Sequence, residues 1–99
     1  MNKVDVKIRH VTRTGGNVFA DLGFAHEEAA KLKIRSQLIM EISEWIKEQQ
    51  LKQNDAAELL KISRPRVSDV MTGKIDKFTI DALIDLLERT GKHITVKVA

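Results

Sequence analysis

The feature that most constrains the fold of this chain is one stretch near its middle, residues 53–74, which reads QNDAAELLKISRPRVSDVMTGK. It predicts two short helices, one from Gln53 and one after Ser63, joined by a turn of only a few residues. Helices that cross steeply over so short a turn need a small side chain at their contact, and Ala57 stands where it is needed. The residues expected to be buried are Ala56, Ala57 and Leu60 in the first helix, and Val67, Val70 and Met71 in the second.

Basic residues are concentrated in the second half of this stretch and just after it. Residues 61–78 carry five basic and two acidic side chains, whereas the whole chain has a net charge of only +3. Two short helices with a basic second helix are typical of a helix-turn-helix, whose second helix can lie in the DNA major groove. A solvated basic face remains the alternative on charge alone. The region 53–73 is therefore a candidate DNA-binding motif.

The exposed positions of the second helix are the candidate reading positions, since arginine can bind guanine O6 and N7 with two hydrogen bonds. Predicted base contacts are Arg64, Arg66, Ser68 and Asp69. Lysines, hydroxyls and amides at helix ends suit phosphate. Predicted phosphate contacts are Gln53, Ser63, Lys74 and Lys77. Pro65 belongs in the first turn of the helix, and because it disfavours helical angles at the preceding residue, we expect Arg64 to be the cap.

The rest of the chain predicts a single domain, residues 1–99, with strands at both ends. A strand and loop segment covers residues 1–24, with apolar alternation at 3–11 and a turn cluster at 14–17. Helical spacing follows from Glu27 to about Gln50, in the positions Ala30, Ile34, Leu38, Ile39, Ile42, Trp45 and Ile46. This pattern fits one long helix or two helices broken near Arg35–Ser36.

The last helix has clear boundaries in the sequence. Thr79 is a good N-cap, Phe78 and Leu83 stand at the positions of a hydrophobic staple, and Gly91 ends the helix. Gly73 is likewise expected to end the preceding helix with a left-handed cap. Residues 93–98 alternate as a strand, which we expect to pair with the N-terminal strand, to pair across a dimer or to dock on the helices.

Composition argues against several other classes of protein. The chain has no cysteine, which excludes a disulfide scaffold and thiolate metal sites. Its apolar runs are at most three residues long, which predicts a soluble, cytoplasmic protein without a membrane span. Its three histidines are scattered, and Gly15-Gly16 is not followed by a phosphate-loop lysine. We expect no enzymatic activity, no cofactor and no metal.

The helix-turn-helix stretch and the residues around it resemble a known family. The residues that fall at the spacing of the Xre/Cro helix-turn-helix family are Gln53, Ala57, Ile62, Val67, Ser68 and Gly73. A wider match joins residues 17–23 to residues 64–69 and to Phe78-Thr79, and it resembles the HigA-type antitoxin branch over about residues 16–98. The resemblance implies a lambda-repressor-like bundle of four to five helices, mainly α, with short terminal strands.

The resemblance also implies a function. Its members bind a double-stranded operator as homodimers, and many neutralise a RelE/HigB-like ribonuclease toxin while repressing their own operon. The first 24 residues and the exposed side of the first long helix are where we expect a toxin surface. Two departures stand out, because the family usually has glycine at position 61 and often glutamine at position 64. A stand-alone Xre/Cro-type repressor and a protein-interaction module without DNA binding remain the alternatives.

Overall fold

The structure, a computed structural model, describes residues 5–9 and 18–98 and is mainly helical. Within these residues lie β1 (Asp5–Arg9), α1 (Val18–Asp21), α2 (His26–Glu48), α3 (Gln53–Leu60), α4 (Arg64–Met71), a 3₁₀ helix (Ile75–Lys77), α5 (Ile80–Arg89) and β2 (His93–Lys97). This confirms the predicted fold class, a helical bundle with short terminal strands. The predicted turn cluster at residues 14–17 lies outside the described residues.

The long helical segment forms one helix rather than two. α2 runs without a break through Arg35 and Ser36, since neither residue removes a backbone donor as proline would. The predicted apolar stripe faces the core: Leu38, Ile39, Ile42 and Ile46 are buried, and Ile34 and Trp45 pack against them. The shorter helices therefore pack against this one 23-residue helix.

The core lies where α3, α4 and α5 meet α2. It contains Ala56 and Leu60 from α3, Val67 and Val70 from α4, and Leu83, Leu86 and Leu87 from α5, together with Phe78. Ala57 and Met71 were expected to be buried, but both are only half-buried at the edge of this core. One face of each helix of the motif is thus held by the core, and the opposite face is left to solvent.

The terminal strands pair with each other, which decides between the three arrangements that the sequence allowed. β1 and β2 form a parallel two-stranded sheet in which Asp5 is the partner of His93 and Arg9 the partner of Lys97. Ile94 packs against the core, whereas most of β2 is exposed. The segment predicted as strand and loop, residues 1–24, also contains the short helix α1. In α1 and the residues after it, the rings of Phe19 and Phe24 meet edge to face.

Candidate nucleic-acid interface

The turn between α3 and α4 is built on a left-handed residue. Lys61 has φ 58° and ψ 42°, the conformation expected at the position where the family usually has glycine. The N–H of Ile62 donates to the carbonyl of Ala57 at 3.0 Å, and that of Lys61 donates to Glu58 at 3.4 Å. This pair of bonds is the Schellman pattern. Arg89 Nη1 of α5 donates to the carbonyl of Leu60 at 2.9 Å, which ties the turn to the core.

The first turn of α4 corrects one expectation. Ser63, rather than Arg64, is the N-cap, because its hydroxyl accepts a hydrogen bond from the N–H of Arg66 at 3.3 Å. Arg64 is the first helical residue and Pro65 the second, where a missing N–H leaves no intrahelical bond unmade. Ser63 was predicted to contact phosphate, and the structure shows that its hydroxyl also holds the start of the helix.

Arg64 lies exposed at the start of α4, beside the first residue of α3. Its Nε donates to Oε1 of Gln53 at 3.5 Å, a long hydrogen bond between two exposed side chains. The structure therefore brings together a predicted base contact and a predicted phosphate contact. The terminal nitrogens of Arg64, which would bind a guanine, have no protein partner within the described residues. This arrangement leaves the guanidinium available to DNA.

Arg66, two residues further along, is in a different environment. It is half-buried, its Nη1 donates to the carbonyl of Lys77 at 2.9 Å, and its guanidinium lies 4.4 Å from the centre of the Phe78 ring. A hydrogen bond from a charged donor and a cation–π contact both favour this position. The side chain that was predicted to read bases therefore links α4 to the 3₁₀ helix and the residue after it.

The C-terminal end of α4 presents the predicted phosphate contacts. Gly73 has φ 70°, as expected of a left-handed cap, and the helix ends at Met71 with Thr72 as its C-cap. The N–H of Lys74 donates to the carbonyl of Asp69 at 2.9 Å, again in a Schellman pattern. Nζ of Lys74 lies 3.9 Å from Oδ1 of Asp69, a partly exposed and weak ion pair.

Two further predicted contacts, Ser68 and Lys77, differ in their exposure. Ser68 is half-buried, and its carbonyl accepts a hydrogen bond from the hydroxyl of Thr72 at 2.8 Å. Lys77 is exposed at the end of the 3₁₀ helix. Sequence reasoning did not find the role of Phe78 as the partner of Arg66, nor that of Arg89 at the turn. Both partners are distant in sequence, so periodicity carried no signal for them.

A short helix held in the core on one face, followed by a second helix with basic residues at its exposed start, defines a helix-turn-helix domain. Comparison with protein families agrees: residues 18–99 match the helix-turn-helix domain family, and the chain belongs to it. No match was found among curated proteins.

A solved structure described as a "Putative XRE Family Transcriptional Regulator" is similar in fold, with a TM-score of 0.68. The two chains are 24% identical, and the match covers 73% of this chain and 81% of the other. The likeness agrees with the Xre-type fold that the sequence predicted. Within the part of the chain that the structure describes, there is no helix long and apolar enough to cross a membrane.

Proposed function

We propose that this protein is a sequence-specific transcriptional regulator that binds double-stranded operator DNA through α4. The observation that carries the proposal is the exposed guanidinium of Arg64 at the start of α4, supported by Gln53 at the start of α3. A helix-turn-helix places the N-terminal residues of its second helix against base edges, which is where Arg64 lies. The protein acts in the cytoplasm, without a catalytic site or a cofactor.

Phosphate contacts flank the reading position on both sides. Lys52, the N-cap of α3, makes no side-chain cap bond, which leaves the first N–H groups of α3 beside Gln53 to face a phosphate. At the far end, Lys74 and Lys77 are exposed, and in the proposed complex they contact the phosphate backbone of the DNA beyond the groove. In the proposed complex these contacts fix the register of α4, while Arg64, Ser68 and Asp69 face the bases.

A gel-shift titration tests this proposal with matched variants. The probe is a duplex selected from a randomised pool by the wild-type protein. Arg64→Met is expected to weaken its binding roughly 5- to 150-fold, the value of one bidentate base contact. Lys31→Met, which removes one charge from an exposed position on α2, is expected to bind nearly as the wild type does. Failure of the wild type to select any duplex at low salt would refute DNA binding.

We further propose that the regulator acts as a homodimer and is the antitoxin of a type II toxin–antitoxin pair. Support for this comes from the resemblance of residues 17–23 and 64–69 to the HigA-type branch, whose partner is a RelE/HigB-like toxin. One structural feature agrees with a protein partner: Val18, Leu22 and Phe24, in and just after α1, are large apolar residues left exposed.

The toxin proposal is tested by co-purification with the product of the adjacent gene. A small basic ribonuclease that co-purifies with the wild type supports it, and we expect Leu22→Asp to abolish the complex. Val96→Asp is the matched control, since Val96 on β2 is 66% exposed against 70% for Leu22 and lies outside the expected toxin surface. The absence of any such neighbouring gene, with DNA binding retained, would instead identify a stand-alone repressor.

A further inference from the structure

The two arginines of the first turn of α4 make different contacts, and this difference indicates different roles in DNA binding. Arg64 is exposed, and among the described residues its side chain reaches only that of Gln53, at 3.5 Å. Arg66 is half-buried and makes two contacts with another segment of the chain, at the carbonyl of Lys77 and the ring of Phe78. One N–H and one face of the Arg66 guanidinium are therefore engaged within the protein itself.

The segment that Arg66 holds is the one that carries the lysines. The 3₁₀ helix begins after Lys74 and ends at Lys77, and both lysine side chains are exposed. Phe78 is 4% exposed and therefore cannot move without disturbing the core. Because Arg66 binds the carbonyl of Lys77 while lying over this fixed ring, it sets the position of the lysine-bearing segment relative to α4.

We propose that Arg66 is a positioning residue, which acts on DNA through Lys77 rather than by reading a base. The inference rests on the proposed DNA-binding function and assigns a separate task to each arginine. Arg64 sets which sequence is bound. Arg66 sets how strongly the phosphate backbone is held, whatever the sequence.

The two tasks are distinguished by salt dependence. Each phosphate contact adds about 0.9 to the slope of log K against log salt, whereas a base contact changes the preference at one base pair. Arg66→Met is therefore expected to reduce the slope by roughly 0.9, as Lys77→Ala does, and to leave the base preference of the wild type intact. Arg64→Met is the matched control, with a relaxed preference at one position and a nearly unchanged slope.

The double variant Arg66→Met/Lys77→Ala separates indirect action from a direct phosphate contact by Arg66. If Arg66 acts through Lys77, the double variant has the slope of Lys77→Ala alone; two independent contacts would give a loss of roughly 1.8. Titrations at several salt concentrations use the selected duplex, its single-base variants and an unselected duplex of equal length.

Circular dichroism first checks that each variant folds. If Arg66→Met does not fold, Arg66→Lys replaces it, since lysine keeps the charge but lacks the planar fork, and a slope between those of the wild type and Lys77→Ala is expected. An additive loss, an unchanged slope or a lost base preference would each overturn the positioning role. A wild type that binds no duplex would instead refute the proposed function itself.

Discussion

Lysine at position 61 holds a backbone conformation that its Cβ disfavours, with φ 58°. Left-handed geometry costs a residue with a side chain roughly 1–2 kcal/mol, and part of what glycine would recover is lost to the greater freedom of its unfolded chain. Lys61→Gly is therefore expected to raise the free energy of unfolding by up to about 1 kcal/mol, measured by urea titration.

Lys61→Ala is the control for this substitution, since alanine keeps the Cβ and should show no such gain. A loss of stability in Lys61→Gly would show that the lysine side chain itself holds the turn. Gln50, which follows the C-cap of α2 with φ 53°, is a second left-handed position and provides an independent comparison.

Arg64 and Arg66 show where residue-level prediction from sequence ends. Both are arginines in the first turn of one helix, and the sequence predicted a base contact for each of them. What separates them is a carbonyl eleven residues away, at Lys77, and the ring of the next residue, Phe78. A contact set by the packing of two segments leaves no local pattern in the sequence. The cap at Ser63 could have been recognised from the sequence, since serine is a common N-cap residue. Pro65 instead directed the prediction to Arg64.

At the scale of elements, the sequence was most informative where local chemistry sets a boundary. Thr79 caps α5 as expected, with its hydroxyl accepting from the N–H of Ala82 at 3.1 Å, and Gly91 follows with φ 88°. α1 was not predicted, because a four-residue helix is too short to show a period. The continuity of α2 was left open, since both one helix and two would carry the same stripe.

The contact between α5 and the turn after α3 predicts an effect on that turn. Arg89 Nη1 donates to the carbonyl of Leu60 across 29 residues of sequence. Arg89→Met keeps the aliphatic stem and removes the donor, and it is expected to lower the free energy of unfolding by roughly 1 kcal/mol. The amides of Lys61 and Ile62 should exchange with deuterium faster than in the wild type, while those of α2 change little.

Lys97→Met is the control for this experiment, because Lys97 is an exposed cation on β2. If Arg89→Met exchanged like the wild type at the turn, the bonds of the Schellman pattern at Lys61 would be sufficient by themselves. In that case α5 would support the motif only through its apolar face.

For the whole molecule, the proposed homodimer makes a prediction about DNA geometry. One α4 reads only a few base pairs, whereas two related by a two-fold axis meet successive major grooves about 34 Å apart. Light scattering is expected to give twice the mass of one chain. Inserting 5 base pairs between the half-sites, about half a helical turn, is expected to reduce binding roughly 10³-fold or more, toward the non-specific level.

The matched control is a substitution of the same central base pairs that keeps the spacing. Equal binding to both spacings would show that each chain binds its half-site independently. The mass of one chain at all concentrations would also contradict the homodimer, without DNA.

The parallel pairing of β1 with β2 has a consequence for the order of events during synthesis. Residues 10–92 lie between the two strands, so the ribosome must add all of them before β2 begins to emerge. At ordinary rates of translation this takes roughly 4–17 s, which is long compared with the time that short helices need to form. The helices that carry the DNA-binding surface can therefore form on the ribosome while β1 is still unpaired, because β2 has not yet been synthesised.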